Sequence, residues 1–245
     1  MSVEWVEPDW PAPPGIRVIS TGRGGGVSRA QYASLNLGTH VGDAPDAVVE
    51  NRTRLRTAVR LPSEPKWLAQ VHGTTAVDLD AAVTGTADAG YTRRPGVVCA
   101  ILTADCLPVV FASESGDTLG AAHAGWRGLS SGILEATVQA MNVPPSRLFA
   151  WLGPSIGPDH FEVGGEVREA FLAKDRGAEA AFLANAHGRF MADLPELARR
   201  RLRNLGVERI YGGSECTYAN SARYFSHRRD GNTGRQVTLI WREAG

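Results

Sequence analysis

Short apolar runs bounded by glycine, proline or polar clusters predict strands at 16–20, 66–71, 96–102, 109–111, 118–122, 148–152, 207–211 and 236–241. Helical spacing appears in fewer places. Val48, Arg52, Leu55 and Val59 predict an amphipathic helix over 46–60, with Asp43 or Asp46 as its cap and Leu61-Pro62-Ser63-Glu64-Pro65 as its stop. Ile133, Leu134, Thr137, Val138 and Met141 predict a second helix, starting at Ser130 or Ser131. A third is expected over 163–173. A fourth is capped by Asp193, carries Leu194, Leu197, Leu202 and Leu205, and ends at Gly206. Strands and helices follow one another in no strict alternation, so the expected class is α+β with mixed sheets. The proline-rich stretch 8–14 closes an extended N-terminal arm over 1–15, leaving 16–245 as a single catalytic domain.

Composition narrows the function. At 245 residues, 43% hydrophobic and 21% charged, the chain has the make-up of a soluble globular protein with a sizeable core. Lysine plus arginine and aspartate plus glutamate are both 26, so no net field draws the chain to nucleic acid or anionic lipid. A small, locally charged substrate fits better. The N-terminus lacks the basic and apolar regions of a secretory signal, no apolar run has membrane-spanning length, and three cysteines make no disulfide framework. A cytoplasmic location is the expectation.

Three reactive side chains then stand out by position. His72 ends the 66–71 run, Cys106 follows the 96–102 run, and His123 ends the 118–122 run. The turn at Ser115-Gly116-Asp117 lets Cys106 and His123 face each other across neighbouring strands. Thiolate and neutral imidazole are ligands that zinc favours, and three of them leave a fourth position open for catalysis. The same pair also permits a cysteine nucleophile with His123 as base and Asp105 as orienter. Asp105 could equally serve as a proton acceptor or a strand-end cap. Arg127 precedes the expected helix N-terminus, where an anion is favoured, and Arg228 and Arg229 offer further donors. The glycine-rich segment Thr21-Gly22-Arg23-Gly24-Gly25-Gly26-Val27-Ser28 completes neither a dinucleotide fingerprint nor a Walker A loop.

Taken together, Arg23-Gly24-Gly25-Gly26-Val27-Ser28, Ser34-Leu35-Asn36-Leu37-Gly38, Gln70-Val71-His72-Gly73, Thr103-Ala104-Asp105-Cys106-Leu107-Pro108, His123-Ala124-Gly125-Trp126-Arg127-Gly128 and Phe225-Ser226-His227-Arg228-Arg229 resemble the laccase-domain family. Its members are labelled polyphenol oxidase, purine nucleoside phosphorylase or peptidoglycan editing factor. The resemblance implies mixed sheets flanked by helices in αββα-type layers, and zinc held by His72, Cys106 and His123. It implies phosphate-dependent cleavage of adenosine, inosine or guanosine to base and ribose 1-phosphate, with methylthioadenosine cleavage and adenosine deamination as companions. In this reading Asp105, Cys106 and Arg127 are catalytic, and Arg23, Asn36, Arg228 and Arg229 contact substrate. The partners are a purine nucleoside and phosphate, with the chain a monomer or small homo-oligomer. An amidohydrolase that edits peptidoglycan precursors is the alternative. Copper-dependent phenol oxidation is the weaker one, because six histidines with no His-x-His pair do not suit multicopper chemistry.

Overall fold

The computed structural model describes residues 2–243; Met1, Ala244 and Gly245, the outer ends of the expected arm and domain, lie outside the described residues. Its strands are β1 (Trp5–Val6), β2 (Ile16–Thr21), β3 (Ala76–Asp78), β4 (Ala89–Thr92), β5 (Cys99–Thr103), β6 (Leu107–Ser113), β7 (Leu119–Ala124), β8 (Leu148–Leu152), β9 (Glu162–Val163), β10 (Phe182–Ala184), β11 (Phe190–Ala192), β12 (Arg209–Gly212) and β13 (Gln236–Arg242). Its α-helices are α1 (Pro45–Val59), α2 (Trp126–Ser131), α3 (Ile133–Met141), α4 (Gly165–Leu172), α5 (Leu194–Asn204) and α6 (His227–Asp230).

Two sheets form the centre. One has the order β12-β8-β6-β7-β4-β3 and mixes parallel with antiparallel pairs; the other, β1-β2-β13-β5, is antiparallel throughout. A small sheet of β10, β11 and β9 stands apart. Alternation along single strands explains the layers. In β6, Val109 and Phe111 pack towards α3 and α5, whereas Val110 and Ala112 meet Ile16, Val18 and Ile240 of the facing sheet. In β5, Cys99 and Ile101 share that inter-sheet core, while Ala100 and Leu102 join Leu55 of α1 on the far side. The result is helix, sheet, sheet, helix, the αββα expectation, with both faces of β5 and β6 each burying one set of a period-two pattern. Cys99 is core, as its run predicted. Among the described residues no helix is long and apolar enough to cross a membrane.

Several expected elements differ from those observed. The 66–71 run forms no strand and makes only isolated bridges through Lys66 and Ala69. Its apolar pattern is satisfied another way: the Gln70 side chain supplies both halves of a ladder rung, donating to Leu102 O and accepting from Leu102 N, each at 2.9 Å. The first helix has neither aspartate as its cap; Ala44 holds the N-cap position and Pro45, which needs no amide partner, opens the helix. The second starts at Trp126 and is broken by Gly132 at φ 111°, so Arg127 lies inside a helix rather than ahead of one. A strand not expected from the sequence, β4, begins directly after Asp88. The arm is tied down by β1, whose Trp5 and Val6 pair with Thr21 and Ser20. By contrast Asp193 caps α5 as expected, accepting from Glu196 N at 2.8 Å, and Gly206 follows its end at φ 91°.

Candidate metal centre

The β6–β7 hairpin builds the site. Pro108 stands opposite His123 in its register, so Cys106, two residues before Pro108, lies beside His123. His72 arrives from the other side on the 66–71 segment. The ligand atoms of His72, Cys106 and His123 all lie within 4.8 Å of one another. Cys106 Sγ is 3.7 Å from His72 Nε2, and the two imidazole rings are 4.7 Å apart edge to face. Gly125 leaves room for this closeness, since a Cβ there would sit 2.9 Å from both Cys106 Sγ and His72 Cδ2.

Asp88, fully buried, organises the group. Its carboxylate accepts from the backbone amides of Val71, His72 and Gly73 at 3.1, 2.8 and 2.7 Å. It also meets His123 Nδ1 at 2.8 Å, and its own carbonyl accepts from His123 N at 2.7 Å. The Nδ1 contact leaves His123 Nε2 as the ligand nitrogen, the arrangement in which a carboxylate fixes a metal-binding histidine. It also explains how His72 tolerates φ 62°, a conformation costly outside glycine, because three consecutive amides are pinned to one carboxylate. Burial opposes ionisation of Asp88, but the hydrogen bond from His123 and those from the Gly73 and Val71 amides outweigh it and lower its pKa.

The donor set suits a metal of zinc's kind. Burial alone would push the Cys106 thiol up; the charge of His123 and hydrogen bonds from His123 and His72 prevail and bring it down to about 6. Burial likewise opposes the charge on His123, yet the Cys106 thiolate and the Asp88 carboxylate raise it to about 9. Both shifts favour the thiolate, the form that binds metal, beside a protonated His123 whose proton metal binding would displace.

The group lies in a cavity of about 440 Å³, also lined by His40, Thr103, Asp105, Trp126, Arg127, Phe161, His227, Arg228 and Arg235. A family model described as multi-copper polyphenol oxidoreductase laccase matches residues 17–243. The chain belongs to that family. Within it, a Pseudomonas aeruginosa protein named purine nucleoside phosphorylase PA4543 is 53% identical over 238 residues, spanning 97% of this chain and 98% of that one. Purine nucleoside phosphorylase YfiH of Escherichia coli K12 is 53% identical over 239 residues, spanning 96% and 98%. The crystal structure of Neisseria meningitidis protein NMB0706 superposes with a TM-score of 0.94 at 47% identity, covering 98% of this chain and 99% of that one. Although the family's description names several coppers, His72, Cys106 and His123 are the only such ligand group among the described residues.

The other residues singled out from the laccase-domain motifs separate into two sets. Arg127 and Arg228 reach the cavity: Arg127 lies over the Trp126 ring at 4.5 Å, and Arg228 lies over Phe161 while its Nη1 donates to Glu162 O at 2.7 Å. Asp105 also lines it, but its carboxylate is engaged by the protein, accepting from Thr217 Oγ1 at 2.6 Å, Ser226 Oγ at 3.0 Å and Arg228 N at 2.6 Å. Three residues do not line the cavity. Arg23 donates to Ala33 O and Ser221 O and lies over Phe225. Arg229 donates to Thr217 O, Tyr218 O and Tyr224 O. Asn36 is fully buried, donating to Gly38 O and Asp43 Oδ2 and accepting from the amides of Gly38 and Arg235. These three hold loops together and lie outside the cavity lining. Sequence reasoning passed over Asp88, His40 and Arg235. Only Asp88 left a trace, as an acidic residue directly preceding alternating apolar positions.

Proposed function

We propose that the chain is a zinc-dependent purine nucleoside phosphorylase, cleaving adenosine, inosine or guanosine with phosphate to free base and ribose 1-phosphate. The observation that carries this reading is the union, in one cavity, of a three-ligand metal group with cationic and aromatic side chains. Trp126 and Phe161 give the cavity aromatic walls that suit a purine, and the cations suit an oxyanion. The names borne by relatives about half identical to this chain support the same reaction. Zinc held by His72, Cys106 and His123 would supply Lewis-acid polarisation of a substrate atom.

In the reaction one phosphate oxygen bonds to C1′ as the C1′–N9 bond breaks, and the bond's electron pair leaves with the purine, which takes up a proton. Positive charge develops at the ribose and negative charge on the base, so the protein's task is to orient both reactants and supply donors to the departing base. His227 at the cavity wall suits proton delivery, whereas Asp105, expected from sequence in that role, positions the Ser226 to Arg228 turn instead. Cys106, tied to the metal, is a ligand and not a nucleophile. Methylthioadenosine cleavage and adenosine deamination would use the same cavity, and three free cysteines suit a cytoplasmic location. Metal-replete protein should release hypoxanthine from inosine only when phosphate is present; no release with or without phosphate rejects the reading.

A further inference from the structure

The cavity contains one cation that is built in rather than extended from its rim. Arg235 has its backbone clamped on both sides: its amide donates to Asn36 Oδ1 at 2.9 Å and its carbonyl accepts from Leu37 N at 3.1 Å. The side-chain stem lies over Gly38, where a Cβ would come within 2.8 Å of Arg235 Cγ. Nη1 donates to Thr233 O at 2.8 Å and Gly234 O at 3.0 Å, which fixes the guanidinium plane. The other edge, Nε and Nη2, has no hydrogen-bond partner among the described residues, and no carboxylate lies within ion-pair distance of Arg235. A fixed guanidinium with one free edge matches the paired oxygens of an oxyanion.

The same cavity holds a second, independent feature. Thr103 is 2% exposed, lines the cavity, and its hydroxyl has no hydrogen-bond partner. Gln236, its partner in the β5–β13 ladder, directly follows Arg235. Buried hydroxyls are nearly always paired, so this one has a donor to spare for a ligand atom at the cavity wall. His40, on the loop that Asn36 ties through Gly38, completes the group. Burial, then the charges of Arg235, Arg52 and His123, lower its pKa, leaving a neutral ring able to donate or accept. Asp105, the cavity's only carboxylate among the described residues, has its oxygens occupied by Thr217, Ser226 and the Arg228 amide, and the charge of Arg235 offsets both it and the Cys106 thiolate at this corner.

We propose that Arg235, Thr103 and His40 form a subsite for inorganic phosphate, with Asn36 as its positioning residue. The assignment rests on the phosphorylase reading and refines it, moving phosphate from the rim arginines to a preorganised one. Titration calorimetry of the zinc-loaded protein with inorganic phosphate alone tests it, with the phosphate KM of inosine cleavage measured beside it. Arg235→Gln should weaken phosphate binding about 30-fold, the effect of losing a charged bidentate contact. Thr103→Val should weaken it about 5-fold. That variant removes an unpaired hydroxyl while keeping shape, so it folds and reports even if Arg235→Gln does not. Arg54→Gln, exposed on α1 and outside the cavity lining, should leave phosphate binding unchanged. Unchanged phosphate binding in both Arg235→Gln and Thr103→Val overturns the subsite, as does a parent protein that binds adenosine monophosphate but not phosphate. The two readings also fail separately. Phosphate binding with the expected pattern but no inosine cleavage keeps the subsite and removes the phosphorylase; cleavage with an unaltered phosphate KM in the variants does the reverse.

Discussion

Two buried carboxylates divide the work of this cavity. Asp88 takes three successive amides of the His72 turn and the imidazole of His123, so its hydrogen bonds run straight into the ligand group. Asp105, next to the candidate ligand Cys106, turns the other way and takes Thr217, Ser226 and the amide of Arg228. Proximity in sequence to a ligand therefore says little about which acid serves it. What decides is which donors the fold delivers: β4 brings Asp88 alongside β7, whereas the chain's last quarter wraps onto Asp105. One carboxylate holds the candidate metal ligands and the other holds an arginine-bearing rim.

The contrast can be broken most forcefully at the ligands themselves. Cys106→Ser should abolish zinc retention after dialysis, read by metal analysis, because a neutral hydroxyl replaces the thiolate. Next comes Asp88→Asn, which keeps the size but disturbs the partner of His123 Nδ1; zinc affinity should fall about 10- to 100-fold in a chelator competition. Asp88→Ala should in addition cost about 3 kcal/mol or more in denaturant unfolding, since it strands three amides and a buried imidazole. Asp105→Asn sharpens the comparison from the other side: zinc affinity should stay at the parental value while kcat/KM falls about 10-fold as the Arg228 turn loosens. Equal zinc loss in Asp105→Asn and Asp88→Asn would erase the division.

The smallest effect belongs to a carboxylate with no part in either task. Asp175 accepts from Arg200 Nε and Nη2 and from Gly177 N, and the Arg200 bonds, with the Gly177 amide, hold its pKa below the usual carboxylate range. A lowered folded-state pKa gives stability that is present above the unfolded-state value and lost as pH falls through the folded one. Asp175→Asn should therefore differ slightly from the parent in melting temperature at pH 7, and the difference should vanish in strong acid.

Much of the site was legible because its pieces are local. The Ser115-Gly116-Asp117 turn between two apolar runs predicts the hairpin, and the hairpin places Cys106 beside His123. The αββα layers follow from period-two alternation in β5 and β6. What was not legible depends on partners distant in the chain. Nothing near Asp88 indicates that three amides and a ring converge on it. Nothing in Ser34-Leu35-Asn36-Leu37-Gly38 indicates that the asparagine is consumed by Gly38, Asp43 and Arg235. The 66–71 segment misled for a similar reason, as a side-chain amide does there what a strand's backbone would do. Arginines carry the same lesson: Arg23 and Arg229 sit in conspicuous motifs but serve backbone carbonyls, while Arg235, in no motif, faces the cavity.

Nucleoside cleavage, as proposed, depends on zinc held by His72, Cys106 and His123. Its most direct test is phosphate-dependent hypoxanthine release from inosine, followed as a chelator removes the metal and zinc is then returned. Activity that falls in proportion to zinc content and recovers with zinc is the predicted result; activity that persists in zinc-free protein would contradict it.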